Sequence, residues 1–286
     1  MSNWSTVVAA ADLAAALGQP DLVLVDCRHA LADPDAGEAA WRVAHLPGAG
    51  HAHLDRDLSD HRKPRALGRH PLPDAADFNR TLARLGVRPG AQVVAYDAGD
   101  GSMAAARLWW LLRLMGHRRV AVLDGGVAAW QALGLPMESV PPAIAPGHYD
   151  AAFDERGIAT AQDVEARLGE AAGWLVDARA PERFRGDVEP LDPVAGHIPG
   201  AVNRPLSANL SGGRMKPPET LRAEFLAIIG PRAPAEVVLS CGSGVTACHN
   251  LLAMAHAGLD GARLYAGSWS GWVSDPSRPV ARGATS

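Results

Sequence analysis

Cysteine is scarce here: Cys27, Cys241 and Cys248 are the only three in 286 residues. An odd count with no framework spacing excludes a secreted disulfide scaffold and fits a reducing compartment. No apolar run approaches the roughly 20 residues that cross a bilayer, so no membrane association is expected. Met1-Ser2-Asn3-Trp4 carries no basic region, and Asp12 interrupts the run from Val7 to Ala11. Neither a signal nor a transit peptide is expected, and the cytoplasm is the expected location. There is no basic run, and the net charge is −4, which argues against nucleic acid as a partner. What remains is a globular composition, 48% hydrophobic and 20% charged, long enough for two ordinary domains.

The most informative residue present is Cys241. It follows the apolar run Glu236-Val237-Val238-Leu239-Ser240, which reads as a buried strand, and opens Cys241-Gly242-Ser243-Gly244-Val245-Thr246. Two glycines in three residues permit a tight loop. From Ala247 onward, Leu251, Met254 and Gly258 keep a helical period. A loop before a helix N-terminus turns backbone N–H groups and a positive dipole end toward the sulfur. A free thiol is only a few per cent ionised at neutral pH, and such a setting favours the thiolate without any lysine or arginine.

The chain also repeats itself. Leu22 to Arg28 returns as Trp174 to Arg179, and His45-Leu46-Pro47-Gly48-Ala49 returns as His197-Ile198-Pro199-Gly200-Ala201. Gln92 to Asp97 matches Glu236 to Cys241, and Leu123-Asp124-Gly125-Gly126 with Trp130 matches Leu264-Tyr265-Ala266-Gly267 with Trp272. A period this long means duplicated domains rather than a solenoid. Between the copies, the proline-rich stretch Met137 to Gly147 cannot continue a helix or join a central strand. The expected division is residues 1–136, a linker 137–152, and residues 153–286.

Within copy one, strands are expected near 22–26, 92–96 and 119–123, and helices near 75–86, 103–115 and 126–133. This alternation predicts an α/β class, with a mainly parallel sheet flanked by helices in each copy. Asp26, Asp97, Asp177 and Cys241 then stand at carboxyl ends of strands, where such sheets place their sites. Only the second copy has a nucleophile there. Copy one has Asp97 and is expected to be non-catalytic.

These residues together make the chain resemble the tandem rhodanese superfamily over nearly its whole length. The loop Cys-Gly-Ser-Gly-Val-Thr is similar to that of the 3-mercaptopyruvate sulfurtransferases, whereas thiosulfate-using members usually carry basic residues there. The resemblance implies ping-pong sulfur transfer. Cys241 takes sulfur from a small-molecule donor as a persulfide, pyruvate leaves, and a thiol such as thioredoxin, or cyanide, accepts the sulfur. It implies no metal and no organic cofactor. It implies that the loop residues Gly242, Ser243, Gly244, Val245 and Thr246 cradle the substrate and that Arg183 binds its carboxylate, a task suited to a planar guanidinium. It also implies a proton relay of Ser243 with His70 and Asp55 from the first domain, which would protonate the departing enolate. The site is expected in the crevice between the two domains.

One departure stands out. The family's mercaptopyruvate members usually have a second arginine shortly after the one matched by Arg183, and here Asp192 stands at that place. Arg185 is a candidate substitute, and thiosulfate:cyanide sulfurtransfer is the alternative activity. Other residues have simpler readings. Cys248 reads as a small core residue, Cys27 as structural, and Asp177–Arg179, His45 and His197 as structural because copy one repeats them. Trp109 and Trp110 read as core or interface packing. Cys248 and His249 are adjacent, which is poor geometry for joint metal ligation.

Three rivals come from other classes. A cysteine phosphatase needs an arginine six positions after its cysteine, and Ala247 is there instead. The run Gly242 to Ala247 fits G-x-G-x-x-A, but it arrives too late in the chain for a dinucleotide-binding βαβαβ half and reads as a chance match. A purely non-catalytic scaffold is opposed by the intact cysteine loop.

Overall fold

The computed structural model describes residues 3–284, so Met1-Ser2, from which the absence of a leader is read, lies outside them. Two compact units emerge. The first comprises residues up to Asp60, Leu72–Asp154 and Gly212–Met215. The second comprises His61–Pro71, Glu155–Ser211 and residues from Lys216 onward. The division in space is therefore not the division in sequence. His61–Pro71 precedes the proline-rich stretch along the chain yet belongs to the second unit.

In the first unit five strands, β1 (Val7–Val8), β2 (Leu22–Asp26), β3 (Gly50–His51), β4 (Gln92–Tyr96) and β5 (Val120–Leu123), form a parallel sheet in the order β1-β5-β4-β2-β3. The second unit repeats it with β6 (Ile158–Ala159), β7 (Leu175–Asp177), β8 (Ala201–Asn203), β9 (Val238–Ser240) and β10 (Arg263–Tyr265), in the order β6-β10-β9-β7-β8. The same permutation twice is the structural face of the duplication. The expected copy-one helices are present as Ala75–Arg84, Ala104–Leu114 and Gly126–Ala132. The first stops short of residue 86 because Gly86 takes a left-handed φ of 73° and ends it. The short helix Ala36–Val43 and strand β3 carry too few periodic residues to stand out in the sequence.

The repeated motifs have repeated geometry. Arg28 grips Asp26 side-on (Nη2–Oδ2 2.6 Å) and donates to the Ala44 carbonyl just before His45. Arg179 grips Asp177 (2.7 Å) and donates to the Gly196 carbonyl just before His197. His45 Nδ1 meets Trp41 O, and His197 Nδ1 meets Phe184 O. Each motif thus ties the end of a central strand to the turn that follows. Trp130 and Trp272, fully buried, donate their indole N–H groups to Pro136 O and Pro279 O. Trp109 and Trp110 are buried in a helix where only Arg113 is not, which is the packing role expected of them. The stretch after Glu138 forms neither helix nor strand, as its prolines dictate, and is held to the first unit by Gly147 N–H on Ala83 O.

Candidate active site

Strand β9 lies at the centre of its sheet, between β10 and β7, and ends in register with Asp177. Cys241 is the next residue and is 1% exposed. Val238 and Leu239 are β-branched or apolar and fully buried, so the strand is anchored and its end is rigid. The Gly244 N–H points at Cys241 Sγ at 3.2 Å. Gly244 has φ 74°, and a Cβ there would collide with the Ala266 carbonyl, so only glycine brings this N–H to the sulfur. Val245 and Thr246 close the loop, and their carbonyls accept from Cys248 and His249 as the helix Ala247–His256 begins. Cys248 is fully buried and donates its thiol to Gly244 O, and Cys27 is fully buried in the first unit. Both match the structural readings.

A second turn clasps this loop. Ser268 Oγ accepts from Cys241 N (3.0 Å) and donates to Tyr265 O, Trp269 N donates to Cys241 O, and Ser270 N donates to Gly242 O. Ser268 is the only described non-glycine residue with positive φ (50°), a strained backbone held by these bonds. The same turn receives the segment 61–71. Gly68 packs so closely on Gly267 that a Cβ would lie 2.6 Å from its carbonyl oxygen, and Arg69 N donates to Ser270 Oγ. His70 is thereby delivered, 4% exposed, with Nδ1 2.8 Å from Ser243 Oγ. Asp55 sits in the short helix Leu54–Asp57 of the first unit, its own N–H donating to His53 Nδ1.

Arg183 lies at the middle of a one-turn helix, Pro181–Arg185, and pairs with Glu189 (Nη2–Oε1 2.6 Å) while remaining partly exposed. Burial opposes the Glu189 charge, but Arg183 and the N–H groups of Leu191 and Asp192 outweigh it and hold the carboxyl below its ordinary range. Arg179 behaves similarly. Burial works against its charge, while Asp177, then Glu189 and Cys241, more than offset that. Arg185 is no substitute for the missing second arginine. Two residues along a helix point to opposite sides, and it pairs with Asp187 at the surface. The sequence reading missed Arg69. A Cβ built on Gly242 would lie 3.3 Å from Arg69 Nη2 and 3.6 Å from Arg183 Nη1, so two guanidiniums flank the residue next to Cys241. Its position beside His70 was the one available sign.

The first unit shows what the same loop does without sulfur. Asp97, at the matching strand end, accepts from the N–H groups of Met103 and Ala105, so its own carboxyl fills the loop. Burial pushes that carboxyl up to about 7 against those two N–H groups. No helix among the described residues is long and apolar enough to cross a membrane.

The family model for the rhodanese-like domain matches residues 9–133 and 160–275. A Pseudomonas aeruginosa protein named "Probable 3-mercaptopyruvate sulfurtransferase" is 49% identical over 279 residues, covering 97% of this chain and 98% of its own. A Mycobacterium tuberculosis protein named "Putative thiosulfate sulfurtransferase SseB" is 41% identical over 285 residues, covering 99% of each. The crystal structure of SseA from Escherichia coli, described as a 3-mercaptopyruvate sulfotransferase, superposes with a TM-score of 0.80 at 33% identity, over 93% of this chain and 99% of that one. With the same sheet written twice, a loop built around a cysteine in one copy only, and these likenesses, the chain belongs to the rhodanese family in its two-domain form.

Proposed function

We propose that the protein is a sulfurtransferase that moves sulfur from 3-mercaptopyruvate to a thiol, such as thioredoxin, or to cyanide, through a persulfide on Cys241. The observation that carries this reading is the Gly244 N–H aimed at Cys241 Sγ, in a loop that only glycine can form. The Cys241 thiolate attacks the donor's sulfur, forming an S–S bond as the C–S bond breaks. The bonding electrons go to the donor carbon as pyruvate enolate, and the proton released from the donor's thiol ends on that carbon. The 2.8 Å contact between Ser243 and His70 supports these two as the pair that passes it. Asp55 is the proposed third member of that relay. Cyanide then takes the outer sulfur as thiocyanate and returns the Cys241 thiolate, so charge and atoms balance. Arg183, with Gly242 to Thr246 around the sulfur, holds the donor's carboxylate.

Thiosulfate is the second reading. A compact dianion favours cations beside the sulfur, and the guanidiniums flanking Gly242 supply what the loop itself lacks. Steady-state transfer to cyanide, with both donors on one sample, decides between them by the ratio of kcat/KM. Cys241→Ser is expected to abolish transfer from either donor with the fold intact. Retained activity in that variant refutes the mechanism.

A further inference from the structure

The family resemblance expects a second arginine where this chain has Asp192. Asp192 is nonetheless well placed. Its Oδ1 accepts from Arg69 Nη1 at 2.6 Å, and the side chain is 4% exposed. Its Oδ2 is buried without a hydrogen-bond partner, 3.6 Å from Arg183 Nη2. Arg69 is also fixed at its backbone by Ser270. Among the described residues, Arg69 Nη2 and Arg183 Nη1 have no hydrogen-bond partner, and both lie within 4 Å of the point where a Gly242 side chain would begin. Arg69 also lines a cavity of about 710 Å³ whose wall includes Lys63, Arg65 and Asp192.

We propose that Arg69 is a substrate-binding residue that replaces the missing arginine, forming with Arg183 a two-guanidinium clamp for the carboxylate of the sulfur donor, with Asp192 as its positioning residue. The inference rests on the sulfurtransferase reading and names one of its specificity determinants. The surrounding charges decide the class of anion. Arg69, Arg179 and Arg183 are matched by Asp192, Asp177 and Glu189, so the cluster is neutral as a whole. A neutral cluster with two directed N–H donors selects by geometry rather than by net charge. That favours a planar monoanionic carboxylate over a compact dianion.

The test compares wild type with Arg69→Gln and Arg69→Lys. Steady-state transfer to cyanide is measured with 3-mercaptopyruvate and with thiosulfate. Independently, Cys241 alkylation rates are measured with iodoacetate, which carries a carboxylate, and with neutral iodoacetamide, with Cys241→Ser as the blank. Arg69→Gln is expected to raise KM for 3-mercaptopyruvate about 10- to 100-fold with kcat little changed, the loss of one or two charge-assisted hydrogen bonds. Iodoacetate is expected to lose its rate advantage, and Arg69→Lys to recover part of both. A merely structural Arg69–Asp192 pair would slow both alkylations alike. An unchanged KM and an unchanged alkylation ratio in folded Arg69→Gln overturn the proposal. An equal rise in KM for thiosulfate overturns the carboxylate assignment. Wild type inactive with both donors refutes the sulfurtransferase reading, while the alkylation ratio still decides the role of Arg69.

Discussion

Gly244→Ala is the sharpest perturbation of the proposed nucleophile. The residue sits at φ 74°, where an added Cβ runs into the Ala266 carbonyl, so the loop must shift and its N–H must leave Cys241 Sγ, now 3.2 Å away. A hydrogen bond to a charged group contributes about 1.5–3 kcal/mol, so its loss corresponds to roughly 10- to 100-fold in the rate of a reaction that needs the thiolate. Strain alone has to be separated from this effect. Gly258 provides the control, because it has nearly the same φ, 72°, and the nearest atom to its absent Cβ is Arg222 Nη1 at 3.7 Å. Gly258→Ala is expected to cost about 1 kcal/mol of stability and leave the chemistry alone. The assay is kcat/KM for the donor together with the iodoacetamide rate at neutral pH, on variants whose unfolding midpoints are known. If folded Gly244→Ala keeps both rates within twofold of Gly258→Ala, the idea that this N–H activates the sulfur is wrong.

Two further predictions test the relay and the silent copy. Ser243→Ala removes the hydroxyl 2.8 Å from His70 and is expected to lower kcat with 3-mercaptopyruvate by about 10²- to 10⁴-fold, the range of general-acid catalysis. Thiosulfate transfer is expected to stay within a few-fold, since departing sulfite is a stable anion, and equal losses with both donors would make Ser243 a positioning residue. Asp97 ionises at about 7 in the fold against about 3.9 in an unperturbed chain. Between these values the folded state holds a proton that the unfolded state releases, so stability falls as pH rises from about 4 to 7, by on the order of 4 kcal/mol. Asp97→Asn, uncharged throughout, is expected to flatten that slope in urea midpoints measured between pH 5 and 8, and a wild-type protein with no slope contradicts the assignment.

Much of this was written along the chain because it is local. Short apolar runs mark β2, β4 and β5, glycines mark the turn before Ser268 and the loop after Cys241, and the repeated Asp-x-Arg and His-x-Pro-Gly pairs close within about 20 residues of one another. Short strands such as β3 and β6, two residues each, carry no period of their own and exist because a neighbouring strand pairs with them. The Arg183–Glu189 contact is local too, whereas the partner of Asp192 lies 123 residues away at Arg69, beyond the reach of any local pattern.

By itself the sequence determined the duplicated α/β fold, the strand end that carries Cys241 and the glycine loop around it, because each depends on periodicity or on conformations that only certain residues adopt. The tertiary structure alone decided which residues face that sulfur. Gly68 and Gly267 approach closely enough to bring Arg69 and His70 against the loop, and the turn at Ser268 clasps both. Contacts across 173 residues, such as His70 with Ser243, arise from packing, and packing leaves no periodic trace in the chain.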